Sequence, residues 1–245
     1  MDNLFDLPAE YKELRTSVRA LAEKEIAPFA QAVDEEHRFP VEAKNAIKKE
    51  WNMVERLEKS LGDDSKQFKW RGARVGYFQT DNNSRNCQDF IYTKELLGEK
   101  NNDNSDLMDM HDLVHSSIRE CLNDYETMFS VTVKFIGALN MVKYGPGEKF
   151  EVHTDDGEPY RCTVSTVGYV NDDYEGGELY FDNFNLNIKP EAGDLILFPS
   201  SYIYSHASVP VKSGIKYSIV CMTDWSDYAH RKDSPIYKTV DSRSE

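Results

Sequence analysis

The chain has 245 residues, and its 43 Asp and Glu against 29 Lys and Arg give a net charge of −14. That length holds one ample domain with room for an appendage, and 40% hydrophobic residues suffice for a core. The acidity excludes a sequence-independent grip on nucleic-acid backbones, which needs clustered Lys and Arg, and no run approaches the roughly 20 apolar residues of a membrane helix. Cys87, Cys121, Cys162 and Cys221 lie far apart without a CxxC pair. This spacing rules out a zinc ribbon and fits reduced thiols. The first residues have neither a basic region nor an apolar stretch, so no signal peptide is read. The charge is uneven: residues 151–200 hold 11 acids against two bases, and residues 101–130 seven against one.

Along the chain, residues 8–32 read as a helix, with Leu14, Val18, Leu21 and Ala22 on one apolar stripe and a break at Pro28. A second helix is expected from Val41 to Leu61, ended by Gly62-Asp63-Asp64. A strand, Ala73–Phe78, precedes a polar loop, Thr80–Gln88. A third helix is expected over Asp106–Phe129, with Leu107, Met110, Val114, Ile118 and Leu122 at helical spacing. From Ser130 the texture changes to short β-branched and aromatic runs at 131–144, 162–170, 177–181, 186–189, 194–198, 206–211 and 216–222. Turn clusters such as Gly145-Pro146-Gly147 and Pro190-Glu191-Ala192-Gly193 separate them. Many short strands with regular turns indicate a sandwich or barrel, and helices gathered on the N-terminal side would cover one sheet of an α+β fold. A double-sheet jelly roll fits the strand count.

His153 and Asp155 are two apart, so on an extended strand both point to one face. A third ligand from another strand would complete a metal site, and His206 follows 53 residues later. Two imidazoles and one carboxylate make the facial triad of non-haem Fe(II) oxygenases, with positions left open for co-substrate and dioxygen. Ten residues further, Lys216 and Ser218 share a face of an apolar strand. A buried ammonium needs an anionic partner, and a ligand carboxylate is the natural candidate. His111 and His115 stand at i, i+4 without a third ligand and read as a helix flank. Cys162 and Cys221 read as packing residues, and His37 and His230 receive no role.

At His153-x-Asp155, His206, Lys216 and the run Asn140–Gly147, the chain resembles the Fe(II)/2-oxoglutarate dioxygenases, specifically the prolyl 4-hydroxylase-like branch. The segments Gly176–Phe181 and Lys189–Pro199 are similar to it as well. The resemblance covers roughly residues 70–228, and phage and bacterial members match best in length. It implies a double-stranded β-helix. Fe(II) would sit on His153, Asp155 and His206, and 2-oxoglutarate on Lys216 with Tyr144 and Ser218. The implied reaction consumes O₂, releases succinate and CO₂ and hydroxylates a prolyl residue of a peptide or protein, with ascorbate as a further cofactor. A free amino acid, another side chain or a small metabolite is the alternative substrate. A non-catalytic jelly-roll binding module is the alternative from another class.

Met222 stands where the family often carries Trp, with Trp225 three residues later, and the second 2-oxoglutarate-binding Tyr is left open between positions 168 and 169. Arg161 and Arg85 are candidate substrate contacts, Arg85 within a loop where the family keeps a lid. Residues 7–40 resemble the opening helices of acyl-CoA dehydrogenases, a stretch too short for that family's chemistry. The expected organisation is a helical extension over 1–45, an oxygenase domain over 46–230 and a polar tail over 231–245. The acids around the expected iron favour a neutral or basic substrate and disfavour nucleic acid. The oligomeric state is not legible, and the location expected is cytoplasmic, of the host if phage-encoded.

Overall fold

The computed structural model describes residue 24 and residues 52–75, 81–157 and 161–231. The helix expected over 8–32, most of the second helix, the end of the strand at 73–78, His37 and the tail after 231 lie outside the described residues. The chain divides into two units between Met53 and Val54, and the second contains the elements that follow.

Helix α1, Met53–Leu61, is the end of the expected second helix and buries Leu57 and Leu61. Strand β1 is Arg71–Gly72 and β2 is Gln88–Tyr92. The paired residues thus fall just before the expected strand at 73–78, while β2 begins inside what reads as polar loop. Its sequence, Gln-Asp-Phe-Ile-Tyr, is strand-like only in its last three residues. A single turn, α2 (Lys94–Leu97), is capped by the Thr93 hydroxyl, which accepts from the Leu96 N–H. Helix α3, Ser105–Phe129, matches the expected third helix and buries Leu107, Met110, Ile118 and Leu122 on one face.

The strands that follow are β3 (Phe135–Tyr144), β4 (Phe150–His153), β5 (Val164–Tyr169), β6 (Glu175–Gly176), β7 (Leu179–Phe181), β8 (Leu186–Ile188), β9 (Leu195–Pro199), β10 (His206–Ser208), β11 (Val211–Ser213) and β12 (Lys216–Asp224). Three expectations shift. Val131–Lys134 precede β3 rather than joining it. The run 206–211 splits into β10 and β11 at Pro210, which has no N–H to donate to a ladder. Strand β4 ends at His153, so Asp155 sits in the following bend rather than on the strand.

Among the described residues the strands form antiparallel sheets, one of order β1-β2-β3-β12-β5-β9, one of order β4-β10-β7-β8, and a β11-β6 pair. The fold is therefore mixed, with antiparallel sheets and few helices. Strand β12 is central and buried on both faces. Its register pairs Lys216 with Tyr144, Ser218 with Val142 and Tyr169, and Val220 with Asn140 and Val167. Because directly paired residues share a face, this set lines one side of the sheet, while Tyr217, Ile219 and Cys221 point to the other. The helices cover that other side: Tyr92 of β2 meets the His111 ring of α3 edge-on.

Glu58 of α1 ties its helix to the sheet. Its Oε1 accepts from the Tyr217 hydroxyl at 2.9 Å, Lys143 Nζ at 2.9 Å and Trp70 Nε1 at 3.0 Å. Removing this acceptor strands three part-buried donors. Glu58→Ala should lower the unfolding free energy by about 1–3 kcal/mol, read as a shifted urea midpoint. An unshifted midpoint contradicts the anchoring role.

Candidate metal and co-substrate site

The two larger sheets face each other across one cavity. The six-stranded sheet contributes Asn140, Tyr144, Val167, Tyr169, Lys216 and Ser218, with Val220 and Met222 beyond them. The smaller sheet contributes Phe150, His153, Leu179, His206 and Ser208, and Asp155 and Arg85 enter from loops.

His153 and His206 are directly paired across β4 and β10, which brings their rings to 4.4 Å between centroids. Asp155 Oδ1 lies 3.5 Å from His153 Nε2, and its Oδ2 lies 3.6 Å from His206 Nε2. One ligand atom from each residue falls within 4.8 Å of the others, close enough for the three to hold one metal ion. Each imidazole has its Nδ1 beside a main-chain carbonyl, Glu151 O at 2.8 Å for His153 and Tyr204 O at 3.1 Å for His206. A carbonyl can only accept, so each Nδ1 carries a proton, and Nε2 is the nitrogen that faces Asp155 and would ligate a metal. Phe150 stacks on His153 at 3.6 Å, and Phe198 meets His206 edge-on at 4.7 Å, so both rings are locked by packing.

Burial pushes the Asp155 carboxyl up, but hydrogen bonding to His153, the neighbouring imidazoles and the Ser165 hydroxyl outweigh it and hold the group below the usual carboxylate range. Burial pushes His206 down, toward the neutral ligand form, although Asp155 opposes this. The donor set therefore fits a divalent ion of borderline hardness such as Fe(II). Ser165 was not singled out by the sequence. It lies on the cavity face of β5 and donates to Asp155 Oδ2 at 2.5 Å. Ser200 is in turn 2.8 Å from Ser165 and 2.9 Å from Cys162 Sγ. Cys162 is thus a buried packing residue that also closes this chain behind the carboxylate.

Lys216 is 2% exposed. Its Nζ donates to Gly177 O and to Ser208 Oγ, both at 2.7 Å, and lies 5.0 and 5.3 Å from the ring centres of Tyr144 and Tyr169. Both hydrogen-bond partners are uncharged, and burial pushes the ammonium down to about 7. Gly177 makes this contact possible, because its φ of +65° suits glycine and a Cβ there would lie 3.1 Å from Lys216 Cδ. The Tyr169 hydroxyl is buried without a hydrogen-bond partner among the described residues. Of the two positions left open in the sequence, 169 therefore lines the cavity with a side chain. Ser218 lies on the same face, 3% exposed.

The remaining candidates separate. Arg85 is buried rather than set on an exposed loop tip: Nη2 pairs with Asp89 at 3.2 Å, Nη1 donates to Arg74 O, and the guanidinium covers the Phe150 ring at 4.9 Å. Thr80 of the expected lid lies outside the described residues. Arg161 is exposed and is not among the described residues that line the cavity. Met222 lines it, while Trp225 is 65% exposed. His111 and His115 stack at 5.6 Å, and among the described residues only His153, Asp155 and His206 form a three-ligand group.

The comparisons with known proteins agree with this geometry. Residues 139–224 match the model of the 2OG-Fe(II) oxygenase superfamily, and residues 8–54 match that of the acyl-CoA dehydrogenase N-terminal domain. Both resemblances read from the sequence are thus found by these comparisons. A prolyl 4-hydroxylase-type protein of Acanthamoeba polyphaga mimivirus is 29% identical over 99 residues, covering 32% of this chain and 41% of that protein. FadE25 of Mycobacterium tuberculosis, of acyl-CoA dehydrogenase type, is 60% identical over 45 residues, 18% of this chain and 12% of that one. The chain therefore spans well under two thirds of these relatives. A prolyl hydroxylase from Trichoplax adhaerens, solved with a hypoxia inducible factor peptide, has a TM-score of 0.54 at 18% identity, covering 70% of this chain and 77% of its own. A Pseudomonas putida prolyl-4-hydroxylase has 0.50 at 19%, covering 63% and 76%. These two structures share the fold.

Two outcomes follow. Ser165→Ala should weaken Co(II) binding about 10–100-fold by freeing Asp155, and an unchanged titration contradicts its orienting role. For Lys216, a site pKa of about 7 against the usual 10.5 means the unliganded folded state releases a proton that the unfolded chain keeps. Stability from this group thus rises with pH between about 7 and 10.5. A dicarboxylate held at Lys216 would need the charged form, so if 2-oxoglutarate binds there, its binding at pH 8 should take up a proton and weaken as pH rises above about 7. Calorimetry in buffers of different ionisation enthalpy reads this directly, and proton-neutral binding contradicts it.

Proposed function

We propose that this chain is an Fe(II)- and 2-oxoglutarate-dependent hydroxylase on a double-stranded β-helix, acting on a prolyl residue of a peptide or protein with release of succinate and CO₂. One observation carries the reading: two imidazoles and a carboxylate converge at one end of a cavity whose other wall holds a buried lysine solvated only by neutral groups. In this reading His153, Asp155 and His206 hold the iron, which supplies the activation of dioxygen. Lys216 receives the distal carboxylate of 2-oxoglutarate, with Tyr144, Ser218 and Tyr169 as hydrogen-bond donors beside it. Apolar Leu179, Val167 and Val220 exclude water from the space between. Ser165 fixes the carboxylate ligand, and Phe150 and Phe198 fix the imidazoles.

The prolyl substrate is supported by the mimiviral relative and by the fold shared with prolyl hydroxylases. The acids that follow His153 in the sequence favour a neutral or basic peptide. Arg161 and Arg85 belong to the substrate side of the same proposal, and ascorbate to its cofactors. The division into a helical extension over 1–45, an oxygenase domain over 46–230 and a tail over 231–245 completes it, with no dehydrogenase chemistry assigned to the extension. A cytoplasmic location agrees with four free cysteines, and no helix among the described residues is long and apolar enough to cross a membrane.

The test measures succinate release in air with Fe(II), 2-oxoglutarate and either proline-containing peptides or free amino acids. Coupled turnover on a peptide is expected, with at least about a hundredfold loss in Asp155→Ala, because two imidazoles alone hold Fe(II) poorly. Coupling to free amino acids alone moves the substrate to the small-molecule class. Succinate release retained by Asp155→Ala contradicts the metal assignment.

A further inference from the structure

Strand β4, which ends in His153, lies at the edge of its sheet, and residues 84–86 run along that edge. The Glu151 N–H donates to Ser84 O at 2.8 Å, the Asn86 N–H to Lys149 O at 3.3 Å, and the Lys149 N–H to Asn86 Oδ1 at 2.7 Å. Between these bonds an antiparallel bridge joins Arg85 to Phe150, which pairs on its other side with Ser208 of β10. Directly paired residues share a face, and Arg85, Phe150 and Ser208 all line the cavity. The Arg85 guanidinium lies over the Phe150 ring, with Cζ 4.9 Å from its centre. The Phe150 ring in turn stacks on His153, 3.6 Å between centroids and 15° between planes. The guanidinium is held along its own edge. Nε donates to Cys87 Sγ at 3.4 Å, Nη1 to Arg74 O at 3.0 Å, and Nη2 pairs with Asp89 at 3.2 Å. Asp89 belongs to β2, Cys87 directly precedes it, and Arg74 follows β1. A continuous set of contacts therefore runs from the six-stranded sheet through Arg85 and Phe150 to the His153 imidazole.

One hydrogen bond at Nδ1, to Glu151 O, sets where the His153 ring points but leaves it free to swing about that bond. The stack on Phe150 sets its plane. Phe150 is itself only part-buried, so what covers it matters, and a cation over a ring face attracts that ring more strongly away from water. We infer that Arg85 is a positioning residue for the metal centre: acting through Phe150, it holds the plane of the His153 imidazole and so sets the affinity for the metal. The inference rests on the proposed metal role of His153. It goes beyond the substrate contact proposed for Arg85, because a residue that only touches substrate has no effect on metal binding in the absence of substrate.

The experiment titrates Co(II) into the full chain without 2-oxoglutarate or peptide, read by calorimetry and by the visible absorption of the bound ion. Removing Arg85 alone would leave the buried Asp89 carboxylate unpaired, so the pair is neutralised together as Arg85→Gln with Asp89→Asn. Arg85→Lys is the second variant; it keeps a cation for Asp89 but loses the planar face. Both should bind Co(II) about tenfold more weakly than the native protein, with an altered absorption spectrum of the bound ion. Phe150→Leu should lose as much, while Phe150→Tyr, which keeps the ring, should bind as the native protein does. In a Phe150→Leu background the Arg85/Asp89 change should cost little more, because the connection to His153 is already cut. A general loosening of the fold imitates neither the rescue by Tyr nor this loss of additivity. Native affinity in both Arg85 variants overturns the inference and leaves the metal reading standing. Fully additive losses in the combined variant also overturn it, since Arg85 then does not act through Phe150. Co(II) binding by the native protein that His153→Ala leaves unchanged sinks the metal role of His153 and the Arg85 inference together.

Discussion

The antiparallel register of β12 with β3 and β5 constrains everything that the cavity can do. Strand β12 is buried on both sides, so each residue along it faces either the helices or the cavity, and a slip by one would exchange the two sets. In the observed register Lys216, Ser218, Val220 and Met222 face the cavity, while Tyr217, Ile219 and Cys221 support the helices. Tyr144 and Asn140 follow from β3, and Tyr169, Val167 and Ser165 from β5. The wall therefore runs from a buried cation at one end to the hydroxyl that orients Asp155 at the other. The opposite sheet needs one matching pair, His153 with His206 across β4 and β10.

The charges in this cavity share one logic. Burial penalises both Lys216 and Asp155, yet only Asp155 receives enough compensation from its neighbours to remain readily ionised. Lys216 is held by a carbonyl and a hydroxyl, which solvate it without neutralising it. The protein thus builds a complete ligand set at one end and an incomplete ion pair at the other. In the proposed reading a dicarboxylic keto acid would bridge these two ends, because one terminus suits a metal and the other an ammonium.

Much of this was legible in the sequence, for physical reasons that differ by element. Helix α3 was readable because its apolar residues keep a 3–4 residue rhythm from Leu107 to Leu122. The strands from Phe135 onward were readable from β-branched and aromatic runs between turn residues, although Pro210 splits one of them. The proposed metal ligands, which the structure brings together, stood out through residue type and order rather than through the strand alternation invoked for them, since Asp155 reaches the site from a bend. Strand β2 was hidden because Gln88 and Asp89 look like loop, and the buried Asp89 is matched by the Arg85 guanidinium. Ser165 and Ser208 were invisible for a related reason. A lone hydroxyl on a strand gives no sequence signal, and only the fold places Ser165 behind Asp155 and Ser208 beside Lys216.

The central claim is that one cavity holds a metal on His153, Asp155 and His206 and a keto acid on Lys216 at the same time. Anaerobic titration of Fe(II) into the protein with 2-oxoglutarate, followed by visible absorption, tests it most directly. The account predicts a weak charge-transfer band that requires both additions and is absent from the Lys216→Ala and Asp155→Ala proteins at the same concentrations. No band from the native protein under conditions where both components are bound would contradict it.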